Sequence, residues 1–178
     1  MVKTLFDAVV SNHFLRWSLG FAMSLFISVN GISAAETRPA PIKLRLDPSL
    51  ILQQVARQMN VSLRPEVPLP RIFLESTTPL RQFQEAIAPQ WKFRPHVFAN
   101  AYVMARNEIY LSDDPSYYKR RNRTLDDSLA HEFVHYIQVN YRNGTLADDD
   151  GEMEAIAVQL AFIDHNTPTI VASVGDWL

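Results

Sequence analysis

Thr124-Leu125-Asp126-Asp127-Ser128-Leu129-Ala130-His131-Glu132-Phe133-Val134-His135-Tyr136-Ile137-Gln138-Val139-Asn140-Tyr141 is the stretch whose reading decides the fold. It contains no glycine and no proline. Thr124 is a helix-capping residue, and Asp127 three positions later completes a capping-box-like start. Asn143-Gly144 supplies the stop. The spacing therefore predicts a helix from Thr124 to about Tyr141. Leu129, Phe133, Tyr136, Ile137 and Asn140 form one stripe along it, apolar with a single polar exception. His131 and His135 lie on another face, one turn apart, where two imidazoles can reach a single cation. Glu132 is rotated by about 100° from His131. It is thus placed to reach a water held by that cation and take its proton, rather than to bind the ion itself.

The spacing His131-Glu132-Phe133-Val134-His135 suits zinc, and the chain has no cysteine. Any zinc ligands must be His, Asp or Glu, and a hydrolytic site needs three of them plus an open position. The candidates for the third are Glu152 and Glu154. The intervening length lets the first helix end, a loop turn, and a second helix pack back against it. Glu152 and Glu154 are about 200° apart on such a helix, so only one can face the ion. The other is left to solvent or to orienting a ligand.

Outward from this centre, Asp47-Pro48 opens a helix carrying Leu50, Ile51, Val55 and Met59, through Asn60. A linker with Pro65, Pro68 and Pro70 leads to a short strand, Arg71 to Glu75. Thr78-Pro79 opens another helix, with Leu80, Phe83 and Ile87, predicted to stop before Pro89. Val97 to Met104 and Glu108 to Ser112 read as a hairpin about Ala105-Arg106-Asn107. In its second run Ile109 and Leu111 alternate with Glu108, Tyr110 and Ser112, a half-buried pattern. Lys119-Arg120-Arg121 with Arg123 reads as a basic surface loop. Asp148-Asp149-Asp150 reads as a solvated acidic turn at a helix start rather than a calcium loop. A last helix is predicted from about Gly151 to Asp164. The fold class is α+β, a single domain with a short antiparallel or mixed sheet packed on the histidine helix and the glutamate helix after it.

With Glu152-Met153-Glu154-Ala155 downstream, the motif resembles the gluzincin branch of zinc metallopeptidases, especially its small single-domain members. The resemblance covers roughly residues 100 to 163, and more weakly from Arg71. It implies a zincin-like fold, a Zn2+ cofactor held by His131, His135 and a glutamate, Glu132 as general base, and a peptide or protein substrate. A glutamate three positions before a small residue points to Glu152. A Glu-Ala pair, as in thermolysin-like members, points to Glu154; Glu152 is slightly favoured. The resemblance also implies that Tyr102 and Asn107 to Ser112 serve as an edge strand that pairs with an extended substrate. One departure stands out. Many gluzincins carry an Asp four residues after the ligand Glu to hold a metal-binding His, and here those positions are Ile156 and Val158. Asp127 or Gln159 is the candidate replacement. The departure also motivates a second reading, a zinc-bound binding module of the cell envelope that cleaves nothing.

The remaining signals are compositional. Lys3, His13 and Arg16 precede an apolar run from Trp17 to Ile32, and Ser33-Ala34-Ala35 follows. Residues 1–35 therefore read as a secretory signal peptide, with residues 36–178 as the mature domain in a bacterial periplasm or exterior. Residues 36–70 read either as a removable leading segment or as part of the domain. A net charge of -2 gives no electrostatic footprint for nucleic acid, and no membrane contact is expected after leader removal. Tyr141, His165 and Tyr136 are the candidate donors to a developing oxyanion.

Overall fold

A proline in the first turn opens the first helix. Asp47 accepts a hydrogen bond from the Ser49 N–H, and α1 runs Pro48–Gln58. Strand β1 (Arg71–Leu74) passes into a 3-10 turn, Glu75–Thr77. Then come α2 (Leu80–Trp91), β2 (Ala101–Val103), a second 3-10 turn (Met104–Arg106), β3 (Glu108–Leu111), α3 (Pro115–Arg121), α4 (Leu125–Arg142) and α5 (Asp149–Asn166). The computed structural model describes residues 39–144 and 149–166, which fall within the unit Arg38–Leu178. The leader read over residues 1–35 and Asp148 of the acidic turn lie outside them. Among the described residues the architecture is mixed α+β, five α-helices with a three-stranded sheet. No helix among them is long and apolar enough to cross a membrane.

The sheet order is β1-β3-β2, with β1 parallel to β3 and β2 antiparallel to it. The half-buried pattern expected of β3 is corrected here: all four of its residues are buried. The strand is central, and both faces are covered. Ile109 and Leu111 join a core cluster with Ile51 and Val55 of α1, Leu129, Phe133 and Ile137 of α4, and Phe162 of α5. Tyr110 faces the other cluster, with Phe83 and Ile87 of α2. Its ring centroid lies 5.3 Å from that of Phe83 and 5.1 Å from that of Phe73. Glu108 tolerates burial because Arg71 Nη2 donates to it at 2.5 Å and the Tyr110 hydroxyl at 2.8 Å. The hairpin is also shorter than expected, its turn closed by Asn107 at φ 49°.

Two further expectations are corrected. Helix α2 does not stop before Pro89 but continues to Trp91. Proline has no N–H for the carbonyl four residues back, and Arg106 Nη2 takes that Glu85 carbonyl instead at 3.3 Å. Lys119, Arg120 and Arg121 are not loop residues. They form the last turn of α3, where positive charge suits the helix C-terminus.

Helix α4 starts with a full capping box: Asp127 N donates to Thr124 Oγ1 at 3.2 Å, and Thr124 N to Asp127 Oδ2 at 2.7 Å. Leu129, Phe133, Tyr136 and Ile137 are buried, as the stripe requires. The segment before α1 belongs to the same body. Ile42, Leu44 and Leu46 pack against the core in alternation with exposed residues. The buried Asp126 carboxylate accepts from Arg45 N at 3.0 Å and Leu46 N at 2.8 Å. Residues 39–70 are thus built into the domain. Asp126→Ala removes a charged acceptor from two backbone donors and is expected to cost about 2–3 kcal/mol in denaturant unfolding. Hydrogen exchange at Arg45 and Leu46 should accelerate; unchanged exchange there contradicts this tie.

Candidate metal centre

One turn of α4 brings two imidazoles together. His131 Nε2 and His135 Nε2 are 3.2 Å apart, and their ring planes meet at 81°. Helix α5 supplies the acid. Ala155, Val158 and Phe162 bury into the core beside α4, and this stripe sets the rotation of α5. Glu152, three residues before Ala155, then places Oε1 3.4 Å from His131 Nε2 and Oε2 3.3 Å from His135 Nε2. The histidine side chains are 16% and 13% exposed while Glu152 is 55% exposed, so the group opens to solvent on the glutamate side. Ligand atoms of all three residues lie within 4.8 Å of one another, and together they can hold a metal ion. Two nitrogens, one carboxylate and no thiolate form a donor set that zinc accepts.

Glu154, the other candidate ligand, is not part of this group. Its carboxylate accepts from Arg142 Nη1 at 2.5 Å and from Gln138 Nε2 at 3.0 Å. The reason is the angular separation that spacing implies: Ala155 points inward, and only Glu152 is turned toward the histidines. The replacements suggested for the missing Asp are also corrected. The Asp127 carboxylate is taken up by the α4 cap, and Gln159 Nε2 donates to the Asp127 carbonyl at 2.8 Å. Gln138 holds His135 instead, with Oε1 3.0 Å from Nδ1.

Glu132 is buried beside the pair, 4% exposed. Burial raises its pKa, against the opposing pull of His131, His135 and a hydrogen bond with the Tyr102 backbone. Glu152 behaves oppositely: hydrogen bonds with His131 and then His135 hold its carboxyl well below the usual range. Burial alone lowers the pKa of His135. The hydrogen bond with Glu152, the Glu132 charge and Gln138 overcome that, and the net shift is upward.

A cavity of about 230 Å³ opens over the group, with Gln90, Trp91, Asn100 and Tyr102 in its walls. A second, of about 240 Å³, shares Asn100, His131 and Glu132 and adds Tyr117, Ser128 and Gln159. The expected substrate-pairing strand needs correction, because β3 is central and has no free edge. The free edge nearby belongs to β2, and its outward groups are engaged. Gln90 Nε2 donates to the Tyr102 carbonyl at 3.0 Å, and Met104 N donates to Gln90 Oε1 at 3.1 Å. The Gln90 amide thereby imitates a peptide unit of a neighbouring strand.

None of the expected oxyanion donors lines either chamber. The Tyr136 hydroxyl donates to the Pro68 carbonyl at 3.2 Å, Tyr141 accepts from Arg64 N at 3.2 Å, and His165 is an exposed residue in the last turn of α5. Sequence reasoning missed Gln90, Asn100 and Gln138. Of these, Gln138 had a visible signal, since it stands three positions after His135 on the same helix. No family model matches the chain, and no curated protein and no solved structure is significantly similar to it.

The raised pKa of Glu132 carries a sign for stability. Folded Glu132 keeps its proton to higher pH than the unfolded chain, so its contribution is fully present below about 4.5 and is lost as pH rises through the folded value. Glu132→Gln stays neutral throughout. Its melting temperature in chelator, relative to wild type, should rise as pH climbs from about 4.5 through the folded value. A difference that stays constant across that range contradicts the shift.

Proposed function

We propose that the protein is a zinc-dependent hydrolase with a zincin-like fold, a small metallopeptidase acting outside the cytoplasm. The observation that carries this reading is the convergence of His131, His135 and Glu152 beside the buried Glu132. Magnesium and calcium favour all-oxygen shells, whereas two imidazoles with one carboxylate suit zinc. Bound there, zinc supplies Lewis acidity that polarises a substrate carbonyl and acidifies a water nucleophile.

The chain's own residues would do the rest. Glu132 takes the proton of the attacking water and returns it to the departing amine, a role favoured by a carboxylate pKa raised toward the working pH. The Tyr102 backbone hydrogen bond fixes the orientation of that carboxylate. The two cavities, whose walls share Glu132, would receive the two sides of the scissile bond. An extended peptide pairing with β2 would have to displace the Gln90 amide from Tyr102 and Met104. That engaged edge is also the observation favouring the second reading, a metal-holding binding module that cleaves nothing.

Metal analysis of purified wild type is expected to give one zinc per chain, and His131→Ala to lose it. Equally little zinc in both rejects the reading. Glu132→Gln should keep its zinc while peptide hydrolysis falls by about 100-fold or more. Hydrolysis at the wild-type rate removes Glu132 from the mechanism. A zinc-loaded wild type that cleaves no member of a peptide library supports the binding module.

A further inference from the structure

The side of His135 away from the proposed ion is held by a chain of polar groups that crosses three helices. Gln138 is buried, 5% exposed. Its amide nitrogen donates to the Gly151 carbonyl at 2.8 Å and to Glu154 Oε2 at 3.0 Å. Both of those partners can only accept, because one is a backbone carbonyl and the other a carboxylate held by Arg142. The amide therefore cannot turn over without setting its oxygen against two other oxygens. With the nitrogen committed, Oε1 is left facing His135 Nδ1 at 3.0 Å. An amide oxygen has no hydrogen to give, so Nδ1 must carry the proton. While the ring is protonated Nε2 also carries a hydrogen, which Glu152 accepts; a neutral ring that keeps Nδ1–H has its lone pair on Nε2. Nε2 is the atom that lies 3.3 Å from Glu152 and 3.2 Å from His131 Nε2. Arg142 completes the chain: its Nη1 holds Glu154 at 2.5 Å, and its Nη2 donates to the Met59 carbonyl at the end of α1.

We propose that Gln138 is a positioning residue for the metal group, keeping the proton of a neutral His135 on Nδ1 so that Nε2 is the nitrogen offered to an ion. The lock rests on the metal reading above for its purpose, but not for its existence. Glu154, far from being a spare ligand, orients the amide that orients the ligand. Through Gly151 the same amide ties the first turn of α5 to α4, one residue before Glu152. A single side chain thereby aligns one nitrogen ligand and the backbone that delivers the oxygen ligand. A carboxylate in this place would add a negative charge beside Glu154. The amide supplies the acceptor for His135 without that repulsion, and also the donors that Glu154 and Gly151 require.

The test reads the His135 tautomer in metal-free full-length protein by long-range 15N–1H correlation, at alkaline pH where the ring is neutral. Zinc affinity is measured in parallel by competition with a chromophoric chelator. Wild type is expected to show the Nδ1–H form alone. Gln138→Met keeps the side-chain length but neither accepts nor donates as an amide does. It should give a mixture of tautomers and bind zinc about 10–100-fold more weakly. Exchanging the two groups, Gln138→Glu with Glu154→Gln, restores an acceptor to His135 and a donor to its neighbour. That variant should recover the Nδ1–H form, while its affinity stays below wild type because no donor faces the Gly151 carbonyl. Wild type protonated on Nε2 overturns the proposal, as does an exchange variant with the same tautomer mixture as Gln138→Met. If Gln138→Met fails to fold, the wild-type tautomer and the exchange variant still decide. Wild type that shows the Nδ1–H form but takes up no zinc sinks the metal reading and spares the lock.

Discussion

The seating of α5 on α4 is the constraint on which the site depends. Two histidines one turn apart follow from α4 alone, and by themselves they form only half of a binding group. The third donor arrives because Ala155, Val158 and Phe162 bury a stripe of α5 in the core and Gln138 pins its first turn through Gly151. The apolar stripe sets the rotation of the helix, and the hydrogen bond sets its position along the partner. Rotation alone separates the fates of Glu152 and Glu154, two acids in the same turn with opposite environments.

Charge in the site is arranged on a gradient. Glu152, the most exposed member, is held ionised by the imidazoles it faces, while Glu132, buried behind them, is pushed toward its neutral form. Two carboxylates so close together thus have affinities for the proton that are driven apart, one suited to holding a cation and the other to moving protons. The geometry is consistent between the levels: the acid that the core excludes is the one placed to hold an ion, and the acid that the core encloses is the one read as the base.

What was legible in the sequence was local. The Thr124–Asp127 capping box, the buried stripe of α4 and the pairing of His131 with His135 all depend on residues three or four apart, and these separations are set by helix geometry. What was not legible depended on distant partners. The centrality of β3 comes from its parallel pairing with β1, where Arg71 lies opposite Glu108. The survival of α2 past Pro89 depends on a guanidinium from beyond β2. The Ile42, Leu44 and Leu46 alternation was present in the sequence, yet its meaning depends on Asp126, some eighty residues away. The engaged edge of β2 likewise rests on Gln90, whose role no spacing rule announces. Gln138 lies between these cases: its position relative to His135 is local, but its donors are directed at another helix.

The most direct measurement of the central claim is zinc X-ray absorption fine structure on the zinc-loaded protein, compared with the His131→Ala, His135→Ala double variant. The expected result is a nearest shell of nitrogen and oxygen at about 2.0–2.2 Å, with the outer-shell scattering of two imidazole rings that disappears in the double variant. An all-oxygen shell without imidazole scattering, or a spectrum that the double variant leaves unchanged, would contradict it.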